Sequence, residues 1–159
     1  MLKTKKSFTL IELLVIVGIL IVLTAIAVPT FRFFERESDL NNSAEEITNT
    51  LRLAQNKTLA SEGASQWGVC FTTTTDPHQY TLFKGSDYNS RAISFDKIHK
   101  LPKSIEIYEI DLFGGGSEVV FERVTGITNQ SGKVFLRLKA NPSKARTISI
   151  GGYGQIESE

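Results

Sequence analysis

The sequence predicts an α+β protein in which a long N-terminal α-helix packs on a C-terminal antiparallel β-sheet or β-sandwich domain. Almost all of the uninterrupted apolar sequence lies before Pro29, and short strand-like segments separated by turn residues make up the later part. The 159 residues suit one domain, and 41% hydrophobic with 22% charged residues is typical of a folded chain. The net charge of +1 is too small to indicate a nucleic-acid partner.

The first element is the apolar segment from Phe8 to Val28, which is 21 residues long. As an α-helix it spans ~31 Å, the hydrocarbon thickness of a bilayer. Its 15 Leu, Ile, Val and Phe residues favour membrane insertion by very roughly 4 to 9 kcal/mol in total. Lys3, Lys5 and Lys6 precede it and hold that end in the cytoplasm by the positive-inside rule. We therefore expect one transmembrane helix, with the chain after Pro29 outside the cytoplasm.

Glu12 places a carboxylate inside this apolar segment. Such a group costs about 3 kcal/mol at the bilayer centre and less near the end of a span, where Glu12 lies. The segment can therefore still insert, but the charge is unfavourable. An ionisable residue within a span indicates a functional role by default.

Three simpler interpretations of the segment compete with a functional span. It can be a secretory signal peptide cut after the small residues Ala25-Ile26-Ala27, but it is long for a signal and contains a carboxylate. It can be a plain anchor whose Glu12 reaches the headgroups. It can also be the core helix of a soluble protein, although its unbroken apolar length disfavours this.

The helix is predicted to bend at Pro29 and to continue as an amphipathic extension. Proline lacks a backbone donor and disfavours helical geometry in the preceding residue, so the bend is expected near Ala27 and Val28. Gly63 is a suitable stop, which gives a helix from about Phe8 to Glu62. One apolar stripe predicts the face that packs on the sheet: Leu40, Ala44, Ile47, Leu51 and Ala54.

Six strand-like segments follow the helix, and Gly151, Gly152 and Gly154 frame a final tight hairpin. We expect six to eight antiparallel strands in one or two sheets, with a flexible connection at the glycines 114 to 116. The segments are Trp67 to Phe71, Gln79 to Lys84, Ile105 to Leu112, Glu118 to Glu122, Lys133 to Leu138 and Arg146 to Ile150.

No arrangement of residues indicates catalysis, a metal or a cofactor. Cys70 is the only cysteine, so it cannot form an internal disulfide, and we interpret it as a small buried strand residue. His78 lies in a turn and His99 lies among lysines, so we expect both to be exposed. A hydrolase needs a nucleophile, a base and an orienting carboxylate, and a metal enzyme needs ligands at defined spacing. We therefore predict no enzyme activity, with an anchored enzyme as a minor alternative.

The stretch KKSFTLIELLVIVGILIVLTAIAVP resembles the leader and first helix of the type IV pilin and type II secretion pseudopilin superfamily. The shared pattern is a basic leader, a cut before an aromatic residue, FTLIE, an apolar run and a proline near its end. The resemblance implies that prepilin peptidase cuts between Ser7 and Phe8 and that the new Phe8 amine is methylated. Glu12 matches the family's glutamate and Pro29 its helix-bending proline, whereas Ser7 stands where the family usually has glycine.

Cleavage before Phe8 would give Glu12 a physical role. The new amine would lie in low-dielectric surroundings, and Glu12, one helical turn along, can pair with it or with the amine of a neighbouring subunit. A buried ion pair gives specificity more reliably than net stability. Glu12 is therefore a predicted assembly residue.

The later sequence resembles, more narrowly, the H-type minor pseudopilins of type II secretion and the related FimT-like minor pilins. The segments that carry this resemblance are LRLAQNKTLAS, WGVCF, EVVFERVTG, SGKVFLRL and RTISIGGYGQI. The expected organisation is a prepilin leader at 1–7, a transmembrane and assembly helix at 8–28, an amphipathic extension at 29–62 and a periplasmic β domain at 63–159.

The resemblance implies a structural subunit of a type II secretion pseudopilus or a type IV pilus. It would be a single-pass protein of the bacterial inner membrane with a cytoplasmic N-terminus. Its implied partners are other pilin or pseudopilin subunits, the prepilin peptidase, the inner-membrane assembly platform and membrane lipid. The exposed loops Thr72 to His78 and Lys84 to Lys103 are the expected contact surfaces of the β domain.

DNA binding is the main alternative, because some minor pilins related to this group take part in DNA uptake. It would need a basic patch that contacts phosphates. The leader contains three of the 18 basic residues. The mature chain would therefore have 15 basic and 17 acidic residues, which is a net charge of −2. Five basic residues lie close enough in sequence to form a patch: Lys133, Arg137, Lys139, Lys144 and Arg146.

Overall fold

A computed structural model of the chain describes residues 9–159, except for the side chains of residues 29–33. Within this part, contacts divide the chain after Glu35, so that the C-terminal unit is Arg36–Glu159. The predicted α+β class is confirmed, because one long helix is followed by eight strands in two antiparallel sheets in the described residues.

Helix α1 runs from Leu10 to Leu59 and contains 50 residues. It ends three residues before the expected Glu62, because Ser61 has a left-handed φ of 52° and a short 3₁₀ helix, Glu62–Ala64, follows. The hydroxyl of Thr58 accepts the N–H of Trp67 at 2.9 Å. This bond connects the last turn of the helix directly to the first strand.

The first sheet has the strand order β3-β2-β1-β5. Its strands are β1 Trp67–Thr72, β2 Gln79–Lys84, β3 Lys97–Lys100 and β5 Glu118–Val120. The prediction that Lys84 to Lys103 is a loop is therefore wrong in part, because it contains a 3₁₀ helix, Ile93–Phe95, as well as β3. The sequence of β3, KIHK, does not alternate apolar and polar residues, so its pattern does not predict a strand. It forms a strand because it pairs with β2.

The second sheet has the strand order β4-β6-β7-β8. Its strands are β4 Ile105–Leu112, β6 Gly132–Leu138, β7 Asn141–Ile150 and β8 Ile156–Ser158. The predicted final hairpin is confirmed, since the N–H of Gly151 donates to the carbonyl of Gln155 at 2.8 Å. The glycines at 114 to 116 lie where the chain passes from the second sheet to the first.

One hydrophobic core lies between α1 and the inner faces of both sheets. The predicted apolar stripe is confirmed, because its five residues are at most 2% exposed. A smaller cluster of Cys70, Phe83 and Val120 lies on the outer face of the first sheet, with Tyr88 packed against it. The interpretation of Cys70 as a buried strand residue is therefore confirmed.

Candidate functional site: the N-terminal apolar helix

Thr9 caps the N-terminus of α1. The N–H of Leu13 donates to the backbone carbonyl of Thr9 at 3.2 Å, and the N–H of Glu12 donates to Oγ1 of Thr9 at 3.3 Å. Threonine followed three residues later by glutamate is the capping-box pattern, and a carboxylate there also faces the positive end of the helix dipole. The T-x-x-E spacing from Thr9 to Glu12 is the sequence signal for this cap, which the charge of Glu12 alone does not reveal.

The segment Leu10–Val28 is long and apolar enough to cross a membrane. Its large side chains are exposed, with exposed fractions from 40% at Ile16 to 81% at Leu10. The segment also carries a shallow apolar groove, because Gly18 has no side chain to fill it. The groove is lined by Leu14, Val15, Gly18, Ile19, Val22 and Leu23. An exposed apolar surface of this kind fits a single-pass membrane anchor.

Thr24 is a second polar residue of this segment, and the helix itself satisfies it. Its hydroxyl lies 2.7 Å from the carbonyl oxygen of Leu20 and 3.0 Å from that of Ile21. Such bonds to the preceding turn are what a hydroxyl needs in a bilayer, where no water is available. Glu12 is the one ionisable residue of Leu10–Val28.

The predicted site residues are only partly described by the structure. Ser7 and Phe8 lie outside the described residues, so the cleavage and methylation sites stay predictions. Glu12 lies in the first turn of α1. Pro29 lies within the helical backbone of α1, and the bend there stays a prediction.

The histidines of the β domain are half-buried, so the expectation that they are exposed was wrong. Nδ1 of His78 accepts the N–H of Ile107 at 3.0 Å. The ring of His99 stacks on Tyr80 with centroids 5.0 Å apart and planes 3° from parallel. Each histidine contacts a segment that is distant in sequence, His78 through a hydrogen bond and His99 through ring stacking. Local sequence does not reveal such contacts.

Cys70 is placed unfavourably for nucleophilic chemistry. Burial raises the pKa of its thiol, which disfavours the reactive thiolate. Burial likewise raises the pKa of Tyr80 to about 12. No group of three His, Cys, Asp or Glu side chains that could hold a metal ion occurs among residues 9–159.

Most of the basic residues considered for DNA binding have partners within the chain. Three of the positive charges are paired with carboxylates, which weakens the case for a phosphate-binding patch. The contacts are Arg137 with Glu106 at 2.6 Å, Lys139 with Asp76 at 3.1 Å, Lys144 with Glu37 at 2.8 Å and Arg146 with Asn41 at 2.8 Å.

The fold is similar to that of three solved structures of a minor pseudopilin and a type IV minor pilin. The minor pseudopilin EpsH from the type 2 secretion system of Vibrio cholerae is 12% identical with a TM-score of 0.57, and the match covers 76% of this chain and 96% of EpsH. A second EpsH structure from V. cholerae is 9% identical with a TM-score of 0.51, covering 77% and 94%. The type IV minor pilin FimU of Pseudomonas aeruginosa is 14% identical with a TM-score of 0.55, covering 76% and 92%.

These likenesses concern the fold. The sequence matches no protein-family model and no curated protein. The H-type resemblance seen in the sequence is confirmed at the level of the fold, because the structure of this chain is similar to those of EpsH and FimU.

Proposed function

We propose that this chain is a minor pseudopilin or minor pilin, a structural subunit of a type II secretion pseudopilus or a type IV pilus. The observation that carries the proposal is the shared fold with EpsH and FimU, joined to an N-terminal helix with the superfamily's sequence pattern. Such a subunit works by its position in a filament and needs no catalytic site.

The proposed precursor inserts into the bacterial inner membrane through its apolar helix, with Lys3, Lys5 and Lys6 in the cytoplasm and the β domain in the periplasm. Prepilin peptidase then cuts between Ser7 and Phe8, and the Phe8 amine is methylated. The assembly platform moves the mature subunit from lipid into contact with other pilin or pseudopilin subunits.

The apolar helix supplies the proposed assembly surface. In lipid its exposed side chains and the groove at Gly18 contact acyl chains, and in a filament they contact helices of other subunits. Glu12 gives this apolar contact its register, because its carboxylate is neutralised only where the Phe8 amine of a neighbour lies beside it. A bend at Pro29 would direct the membrane part of the helix without changing this contact.

The experiment that tests the proposal is sequencing of the mature N-terminus after expression of the full chain with and without a prepilin peptidase. The expected product begins at Phe8, carries a methylated amine and forms only when the peptidase is present. A Ser7→Gly variant, which has the residue usual in the family, is expected to be cut at least as fast. A product that begins at Val28 would identify a signal peptide instead, and an unprocessed chain would identify a plain anchor.

A further inference from the structure

The imidazole of His78 lies against the outer edge of strand β4. This strand is at the end of the second sheet, so every second backbone N–H points away from its neighbour β6. The N–H of Lys139 donates to the carbonyl of Ser104 at 2.9 Å, which places residues 104 and 106 in bonding positions toward β6. Ile105 and Ile107 therefore direct their backbone groups outward.

Both of these outward N–H groups have acceptors that other segments supply. The N–H of Ile105 donates to the carbonyl of Pro102 at 3.0 Å, and the N–H of Ile107 donates to Nδ1 of His78 at 3.0 Å. An unpaired N–H at a sheet edge is a template for pairing with another chain, and native proteins commonly cover such edges. His78 lies just before β2 of the first sheet, so its ring covers the edge of the other sheet.

The hydrogen bond from Ile107 requires one protonation state of the ring. Nδ1 accepts a hydrogen bond only when it carries no proton, so this arrangement needs the neutral imidazole with its proton on Nε2. A second proton makes Nδ1 a donor, and two N–H groups would then face each other. The open arrangement can therefore bind one proton more than the closed one, and it is favoured as the pH falls.

The surroundings of His78 allow its ring to move while the strands stay in place. The carbonyl of His78 accepts the N–H of Leu101 at 2.9 Å, which holds the main chain at the start of β2 independently of the ring. Residues 73–76, which precede it, are exposed. A groove of about 310 Å³ lies beside the edge and is lined by Thr73 and residues 107–110. Opening of the ring therefore disturbs few buried contacts.

Charged groups on several elements act on the ring. The hydrogen bond and charge of Lys139, in the β6–β7 turn, lower the pKa of the Asp76 carboxyl, so Asp76 stays ionised where an imidazole titrates. Its carboxylate interacts with His78 and favours the protonated ring, whereas the charges of Lys139 and Lys103 oppose it. The other titratable or charged side chains on the adjoining strands are Glu106, Tyr108 and Glu109 of β4, His99 and Lys100 of β3, and Arg137 of β6.

We propose that His78 is a pH-sensitive cap of the β4 edge. The neutral ring covers the N–H of Ile107, and the protonated ring leaves that N–H as a free donor at the edge of the sheet. Histidine in model peptides takes up its second proton at about pH 6.5, so we expect the change in weakly acidic solution. The cap lies within the β domain, and it does not depend on the proposed processing or assembly of the N-terminal helix.

The test is amide hydrogen exchange of the full ¹⁵N-labelled chain in detergent micelles, followed by NMR at pH 7.5 and pH 5.0. The rates are corrected for the intrinsic effect of pH on exchange. We expect the protection of the Ile107 amide to fall at least about tenfold between the two conditions, because uptake of one proton changes the opening equilibrium by up to tenfold per pH unit. The amide of Ile148, in β7 of the same sheet, reports on global stability and should change much less.

Two variants assign the effect to the ring. Asparagine has an oxygen acceptor at the position of Nδ1 and does not titrate, so His78→Asn is expected to keep Ile107 protected at both pH values. His78→Leu removes the acceptor, and Ile107 should then be poorly protected at both. Equal protection of Ile107 at the two pH values in the unaltered protein would overturn the proposal. A fall of the same size in either variant, or at Ile148, would overturn it as well.

Discussion

The backbone N–H of Glu12 donates a hydrogen bond to Oγ1 of Thr9 at 3.3 Å. The residue that brings a charge into the apolar segment is therefore also the third residue of a helix cap. A glutamate in a capping box stabilises the start of a helix whether or not another subunit is present. The structural role and the proposed assembly role of Glu12 have to be separated by experiment.

Glu12→Gln separates them, because glutamine also serves at this position of a capping box but has no charge. We expect normal membrane insertion and at least about tenfold less of the variant in sheared filaments. The physical reason is that removal of one partner of a buried ion pair costs about 3 to 5 kcal/mol. The measurement is the amount of the variant in the filament fraction relative to the membrane fraction.

Thr9→Ala is the matched control, since it removes the cap and keeps the carboxylate. Loss of an N-cap costs about 1 kcal/mol of helix stability, which the surrounding apolar contacts of a long helix can absorb. We expect incorporation close to that of the unaltered protein. Normal incorporation of Glu12→Gln together with reduced incorporation of Thr9→Ala would mean that the cap rather than the charge explains the role of Glu12.

Leu51 and Leu53 offer a comparison of the same chemical change on two faces of α1. Leu51 is 0% exposed and Leu53 is 42% exposed. We expect Leu51→Ala to lower the free energy of unfolding of the C-terminal unit by about 2 to 5 kcal/mol, because it leaves a cavity in the core. Leu53→Ala is expected to lower it by less than about 1 kcal/mol. Urea unfolding of the full chain in detergent, followed by the fluorescence of the buried Trp67, gives both values, and equal losses would contradict the assigned faces.

Local sequence was enough to predict the helix face and most of the strands. The stripe from Leu40 to Ala54 has helical spacing, and all of its members are buried in the structure. Strands β2 and β4 have the bounds that the sequence predicts, Gln79–Lys84 and Ile105–Leu112. These elements could be found because one face of each is apolar and the period of that face is fixed by backbone geometry.

Other features depend on residues that are distant in sequence and could not be predicted from local pattern. Strand β3 has only Ile98 as an apolar residue and exists because β2 lies beside it. Lys144 lies 2.8 Å from Glu37, 107 residues away. Spacing along one chain likewise gives no information on which strand lies at the edge of which sheet, so the edge positions of β3 and β8 emerge only from the topology.

The reactivity of Cys70 reports on the segment that covers it. Tyr88 packs edge-on against Phe83, with ring centroids 5.4 Å apart, and its N–H donates to Oε2 of Glu118 at 2.7 Å. The guanidinium of Arg91 lies 3.7 Å from the centre of the Tyr88 ring. These contacts hold the segment after β2 against the cluster that contains Cys70.

We expect the native protein to react slowly with a thiol reagent at pH 8, because Cys70 is buried and burial raises the pKa of its thiol. Tyr88→Ala should raise the labelling rate roughly tenfold, which corresponds to opening that is easier by about 1.4 kcal/mol. Tyr108→Ala, on the other sheet, is the control and should leave the rate unchanged. Rapid labelling of the unaltered protein would show that this cluster is open to solvent.

Asp76 and Lys139 form an ion pair of 3.1 Å between the β1–β2 connection and the β6–β7 turn. The hydrogen bond from Lys139, and then its charge, lower the pKa of the Asp76 carboxyl. A carboxyl whose pKa is lower in the folded state adds stability above its unfolded pKa, and this contribution is lost as the pH falls through the folded pKa. Asp76 is exposed, so the contribution is small and is screened by salt.

Lys139→Met removes the charge and the hydrogen bond while keeping most of the apolar side chain. We expect the pKa of Asp76 to rise toward its ordinary value, because the carboxylate then loses the group that stabilises it. The measurement is an NMR titration of the Asp76 carboxyl carbon in the full chain at low salt. Lys133→Met removes a lysine of β6 that does not contact Asp76 and is expected to leave the pKa unchanged. An Asp76 pKa that does not move in the Lys139→Met protein would mean that the pair is not formed in solution.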